Sequence, residues 1–98
     1  MDQLRRYAIF AAVVEAGTMT GAAKALGMTP SAVSQHIGQL ESLLGLTLLH
    51  RSTRRLSLTE AGEVVWQGCQ SLQQTLNQTE LRLSEVRDSR LGEVRITA

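Results

Sequence analysis

Residues 28–40 read MTPSAVSQHIGQL. Thr29 followed by Pro30 is the punctuation of a helix start. A threonine oxygen can accept an orphan N–H of the first turn, and proline at the first helical position lacks only an N–H that would be unpaired anyway. From there Val33, Ile37, Leu40 and Leu44 recur at intervals of three and four, predicting a helix to Leu44 with Gly45 as its stop. Opposite that apolar stripe lie Ser31, Gln35 and Ser42, flanked by Ser34 and Gln39, with Gly38 among them and no charged residue. A solvated helix face usually carries lysine and glutamate. This one carries hydrogen-bonding groups and a glycine.

Working outward, Leu4, Tyr7, Phe10 and Val14 mark an amphipathic helix over residues 2–16 that Gly17 ends. Thr18 caps a second, short helix, TGAAKAL, whose alanines let a neighbour approach closely and which Gly27 stops. Two short helices joined by a glycine-containing turn have the outline of a helix-turn-helix. After it, LTLLHRS (46–52) and RRLSLT (54–59) alternate apolar and polar residues around a tip near Ser52 to Arg55, the pattern of a small hairpin. A helix-turn-helix followed by a hairpin is a winged helix, so the expected fold is mainly α: three helices, a two-stranded wing, then a long helix. That fourth helix is capped by Thr59 and runs without proline to about Arg90. Val65, Cys69, Leu72, Leu76, Thr79, Leu83 and Val86 fall along it at alternating steps of four and three, a heptad stripe as in a coiled-coil seam. A helix of about 30 residues is roughly 45 Å long. So small a head covers only its first turns, near Val64 and Val65, and a second copy of the chain is the natural cover for the rest. Residues 91–98 turn to alternation around Val94 and Ile96, the pattern of a strand. The expected organisation is a DNA-binding domain over 1–59, a dimerisation helix over 60–90, and at 91–98 the opening of a C-terminal domain absent from this chain.

The 98 residues, 43% of them apolar, suffice for one aliphatic core. No apolar run approaches the ~20 residues of a membrane span, and the N-terminus lacks a signal peptide's apolar stretch, so the expected location is the cytoplasm. Cys69 is alone and reads as a structural thiol; with His36 and His50 distant in sequence, no zinc spacing appears and no metal is expected. The net charge of +1 conceals a division. Through Thr59, Arg5, Arg6, Lys24, Arg51, Arg54 and Arg55 outweigh Asp2, Glu15 and Glu41, for +3. From Glu60 on, Arg82, Arg87, Arg90 and Arg95 are outweighed by Glu60, Glu63, Glu80, Glu85, Asp88 and Glu93, for −2. The polarity points to nucleic acid at one end and a different partner at the other.

Placed as the second helix of a helix-turn-helix before an arginine-bearing wing, the uncharged face reads as a DNA-reading surface. Serine and glutamine donate and accept, as base edges in a major groove require, and Gly38 permits close approach of the backbone. Arg51, Arg54 and Arg55 in or beside the hairpin tip suit phosphates or an adjacent minor groove. Thr18, Thr20 and Lys24 are candidates for backbone contacts that set register, and Thr18 can serve as cap at the same time. His36 points to the side, where packing or solvation suits it better than a base contact.

The run AGTMTGAAKALGMTPSAVSQHIGQLESLLGLTLLHRSTRRLSLTEAGE resembles the N-terminal signature of the LysR-type bacterial transcriptional regulators. The likeness covers Phe10 to about Glu63 and includes AA and L of the second helix, AVS of the third, LE and LG after it, L–L–R in the wing and LTEAG before the long helix. It implies a winged helix-turn-helix, a linker helix that dimerises, and a C-terminal domain, built like a periplasmic binding protein, that holds a small-molecule effector. No cofactor is implied for this chain. The implied partners are double-stranded DNA bearing an interrupted palindrome and a second copy of the chain, with tetramers open to the full-length protein. Carried over by position, the family's DNA contacts fall on Pro30, Ser31, Ser34, Gln35, Arg51 and Arg54. Many members have arginine in place of Gln35 and a basic residue near Gly38, so the wing arginines of this chain carry more of the phosphate attraction.

The histidines lack a carboxylate partner at helical spacing and no serine sits in a nucleophile elbow, so the sequence does not read as an enzyme. A protein-docking module would also use an uncharged helix and a coiled coil, but has no need of three arginines at a hairpin tip. A winged-helix regulator of the MarR type would dimerise through helices from both chain ends, whereas the long helix of this chain follows the wing.

Overall fold

The computed structural model describes residues 2–51 and 56–97. In chain order these form α1 (Asp2–Ala16), α2 (Met19–Leu26), α3 (Pro30–Leu44), β1 (Leu49–Arg51), β2 (Leu56–Leu58) and α4 (Glu60–Thr97). The expected caps set the boundaries. Thr18 Oγ1 accepts from Gly21 N at 2.9 Å, Thr29 Oγ1 accepts from Ala32 N at 3.1 Å, and Gly45 closes α3 at φ 67°. A left-handed residue at that position lets a helix end return its N–H to its own last turn, in this case to the Glu41 carbonyl.

Ile9, Phe10 and Val13 of α1 meet Ala22 and Ala23 of α2, Val33, Ile37 and Leu40 of α3, and Leu48 and Leu49 at the wing in one buried core. The stripe expected on α1 is displaced by part of a turn. Phe10 is buried, while Leu4 is 57% exposed and Ile9 and Val13 take the inner positions. The reason is that α1 serves two neighbours, with α2 and α3 on one side and α4 on the other.

The strands pair antiparallel with Leu49 opposite Leu58 and Arg51 opposite Leu56. Thr59 joins wing to linker: its N–H donates to the Leu48 carbonyl at 3.0 Å, its hydroxyl donates to the Thr47 carbonyl at 2.6 Å, and the same oxygen accepts from Gly62 N at 2.9 Å. Gly62 is buried where α4 crosses the wing. A Cβ there would collide with the Leu48 carbonyl and lie 3.2 Å from Leu58 Cδ2, so only glycine admits this approach.

Two expectations are corrected along α4. The helix does not end near Arg90 to give a strand at 91–98 but continues through Thr97. A strand must find its hydrogen bonds on a neighbour, and β1–β2 is the only sheet among the described residues; a continued helix satisfies its N–H and C=O groups internally. In the first turns Val64 is 67% exposed, and it is Val65, Trp66 and Cys69 that pack on the core.

Candidate nucleic-acid interface

The polar face of α3 is presented to solvent as its spacing required. Ser31, Gln35, Gln39 and Ser42 are placed along it, with Ser34, His36 and Gly38 beside them. Among the described residues no intramolecular hydrogen bond occupies the side chains of Ser31 or Gln35, and both are exposed. A Cβ at Gly38 would meet nothing within 4 Å. Glycine inside a helix costs about 1 kcal/mol relative to alanine, and nothing in this fold demands it at position 38.

At about 100° per residue, these side chains span an arc of roughly 140° in the order Ser34, Gly38, Ser31, Ser42, Gln35, Gln39. Each edge of the arc is held by a guanidinium from another element. Arg51 of β1 donates through Nη1 to Ser34 Oγ at 3.3 Å. Arg6 of α1 donates through Nε to Gln39 Oε1 at 3.3 Å. An open groove lined by Arg6, Gln35, Gly38, Gln39, Ser42 and Leu43 runs along the second edge.

Arg51 is oriented from behind. Its Nη2 lies 3.7 Å from Glu41 Oε1, while Glu41 Oε2 accepts from Leu48 N at 2.8 Å and Leu49 N at 3.4 Å. One carboxylate on α3 thus anchors the first amides of the wing and steers the arginine lying over Ser34. The Arg51 side chain stays 47% exposed, so the ion pair itself contributes little to stability, and the guanidinium remains open to solvent beside Ser34. The sequence places Arg51 at the interface without its tie to Ser34, and Gln39 only as a flanking residue. Glu41 and Arg6 are not marked by it as parts of the site. The available signal is the acid on an otherwise uncharged helix, since a half-buried carboxylate needs donors.

Of the other expected contacts, Thr18, Thr20, Lys24 and Pro30 lie along α2 and at the start of α3, with Thr18, Thr20, Lys24 and Pro30 all open to solvent to some degree. Thr18 serves as the α2 cap and its hydroxyl proton remains available. Arg54 and Arg55 lie outside the described residues. His36 turns aside from the polar arc.

On α4 the seam divides in two. Val65 and Cys69 are half-buried against the head, and Cys69 Sγ lies 3.7 Å from the Tyr7 carbonyl, with burial raising the thiol's pKa above its ordinary value. Leu72, Leu76, Leu83 and Val86 are 51%, 55%, 62% and 57% exposed. Leu4, Tyr7, Ala8 and Ala11 of α1 join Cys69, Leu72 and Leu76 around an apolar groove, so the uncovered strip widens onto the head. Among the described residues no helix is long and apolar enough to cross a membrane, and no cluster of His, Cys, Asp or Glu could hold a metal ion.

Residues 4–63 match the family described as bacterial regulatory helix-turn-helix protein, lysR family. The HTH-type transcriptional activator AaeR of Escherichia coli (strain K12) is 40% identical over 96 residues, covering 98% of this chain and 31% of AaeR. The chain therefore spans less than a third of the length of that curated relative. Full-length LysG from Corynebacterium glutamicum with bound effector Arg superposes with a TM-score of 0.76 at 31% identity, over 87% of this chain and 29% of LysG. The BenM DNA-binding domain in complex with benA site 1 DNA superposes with a TM-score of 0.76 at 31% identity, over 85% of this chain and 93% of that one.

Proposed function

The chain belongs to the LysR family of bacterial regulatory helix-turn-helix proteins, and from that premise we propose that it is the DNA-reading and dimerising part of a cytoplasmic transcriptional regulator. The observation that carries this reading is the exposed, uncharged face of α3, bracketed by guanidinium groups and occupying the recognition position of a winged helix. In this reading Ser31, Ser34 and Gln35 contact base edges. Glutamine pairs well with an adenine edge and serine with any base, and these choices supply sequence discrimination. Thr18, Thr20, Lys24 and Pro30 set the register on the backbone, and Arg51, with Arg54 and Arg55 of the wing, supplies phosphate or minor-groove attraction.

Two heads act together. The exposed Leu72, Leu76, Leu83 and Val86 are covered by the same helix of a second copy, and Leu4 at the mouth of the neighbouring groove extends the contact onto α1. The two recognition helices then meet half-sites of an interrupted palindrome at least one turn of DNA, about 34 Å, apart. The effector binds in the part of the longer protein beyond this chain, which also allows dimers to pair into tetramers.

The test is a titration of an operator duplex, selected from a random pool by the protein, beside a random duplex of the same length. Gln35→Ala is expected to cost about 1 to 3 kcal/mol on the operator and almost nothing on random DNA. Equal weakening of both would remove the α3 face as the reading surface.

A further inference from the structure

We propose that Arg6, on the first helix and outside the helix-turn-helix, is a phosphate contact that grips the wall of the major groove opposite the one reached from the wing. The proposal rests on the reading of α3 as the DNA-facing helix and adds to it a residue from a different element.

Three observations converge on Arg6. First, α3 brings no lysine or arginine of its own. Its one formal charge is Glu41, already turned toward the wing amides and Arg51. A helix entering a groove walled by phosphates on both sides therefore depends on cations lent by its neighbours. Second, the two lent cations lie at the opposite edges of the polar arc. Arg51 is bound to Ser34 at one edge and Arg6 to Gln39 at the other, each at 3.3 Å, with Gly38, Ser31, Ser42 and Gln35 between them. A major groove is about 12 Å wide, close to the diameter of a helix with its side chains, so cations on the two flanks of a seated helix face opposite strands. Third, among the described residues Arg6 makes one side-chain hydrogen bond, from Nε to Gln39, and it lines an open groove together with Gln35, Gly38 and Ser42. The Gln39 bond fixes the fork at the groove's rim, and a pre-aimed fork suits a phosphate oxygen pair.

The experiment measures the affinity of the wild-type chain and its variants for a fluorescein-labelled random duplex and for the selected operator, as a function of salt between about 50 and 200 mM. Arg6→Gln keeps an N–H at the position of Nε, able to donate to Gln39, and removes the charge together with the two terminal amino groups. It is expected to weaken both duplexes several-fold and to lower the slope of log affinity against log salt by about one unit. Arg6→Lys should retain the slope, and Gln39→Ala, which frees the arginine without discharging it, should retain it too. Thermal unfolding of each variant accompanies the titrations. A wild-type slope in Arg6→Gln, or a loss in Gln39→Ala equal to that in Arg6→Gln, would overturn the phosphate contact while leaving the DNA-binding reading in place. A wild-type chain with no salt-dependent affinity for either duplex would overturn both.

Discussion

The outer face of α3 and the outer stripe of α4 are both helix surfaces that the fold leaves uncovered, and they differ in every chemical respect. On α3 the exposed groups are serine and glutamine, with a glycine where the backbone can be approached. On α4 they are leucine and valine at heptad spacing. A hydrogen-bonding face loses little by standing in water and gains when donors and acceptors of matching pattern replace that water. An apolar face of four large side chains is unfavourable until it is covered, at about 25 cal/mol for each Å² left wet. The first face is thus suited to an interaction that discriminates and the second to one that holds, which is the division of work a DNA-reading dimer needs.

The contrast is most sharply broken by placing a charge on the apolar stripe. Leu76→Glu should weaken self-association by several kcal/mol, because a carboxylate would be desolvated in the seam without a partner. Sedimentation equilibrium at micromolar concentration measures it. A wild-type chain that stays monomeric when concentrated would mean that α4 has no such role.

Next comes the joint between the two regions. Gly62→Ala forces a methyl against the Leu48 carbonyl and should destabilise the fold by about 3 kcal/mol, read as a lower midpoint in denaturant. A midpoint near wild type would show that α4 can shift on the wing.

Within the head, Glu41→Ala should cost about 2 kcal/mol of stability through the lost charge-assisted bond to Leu48 N. It should also lower affinity for operator and random DNA together, since Arg51 loses the carboxylate that orients it. Loss of stability with undiminished affinity for DNA would separate Glu41 from the interface.

The smallest effects make the finest comparison. Gly38 and Gly68 both stand in helices with nothing within 4 Å of an added Cβ. Either glycine replaced by alanine should raise stability by about 0.5 to 1 kcal/mol. Gly38→Ala alone should weaken operator binding, since it adds a methyl to the reading face, whereas Gly68→Ala should leave it unchanged. Equal behaviour of the two in a paired melting and binding assay would leave Gly38 without a role in the approach of DNA.

Much of the architecture is legible in the chain because its signals are local. Thr18, Thr29 and Thr59 before their helices, Pro30 at a first turn, and Gly17, Gly27 and Gly45 at ends each act within a few residues through capping or backbone freedom. The period of Val33, Ile37 and Leu40 likewise sets which face of α3 is buried, and so which is left outside. The wing can be placed by its alternation, and the length of α4 can be read to within a few turns from its unbroken heptads. Its continuation past Arg90 cannot be read, because Val94 and Ile96 alternate as a strand would and only the lack of a pairing partner among the described residues makes the helix the better solution.

Which distant groups come to lie beside that outer face is settled by packing alone. Arg6 and Gln39 are 33 residues apart, and Arg51 and Ser34 are 17 apart. No periodicity connects such pairs. Their meeting depends on how α1 and the wing pack around the core, and on Glu41 turning inward to satisfy Leu48 and Leu49. Short-range propensity and pattern determine the elements and their faces. The charges that flank a face are set by packing, because side chains brought by separate elements become neighbours only once the core between those elements has closed.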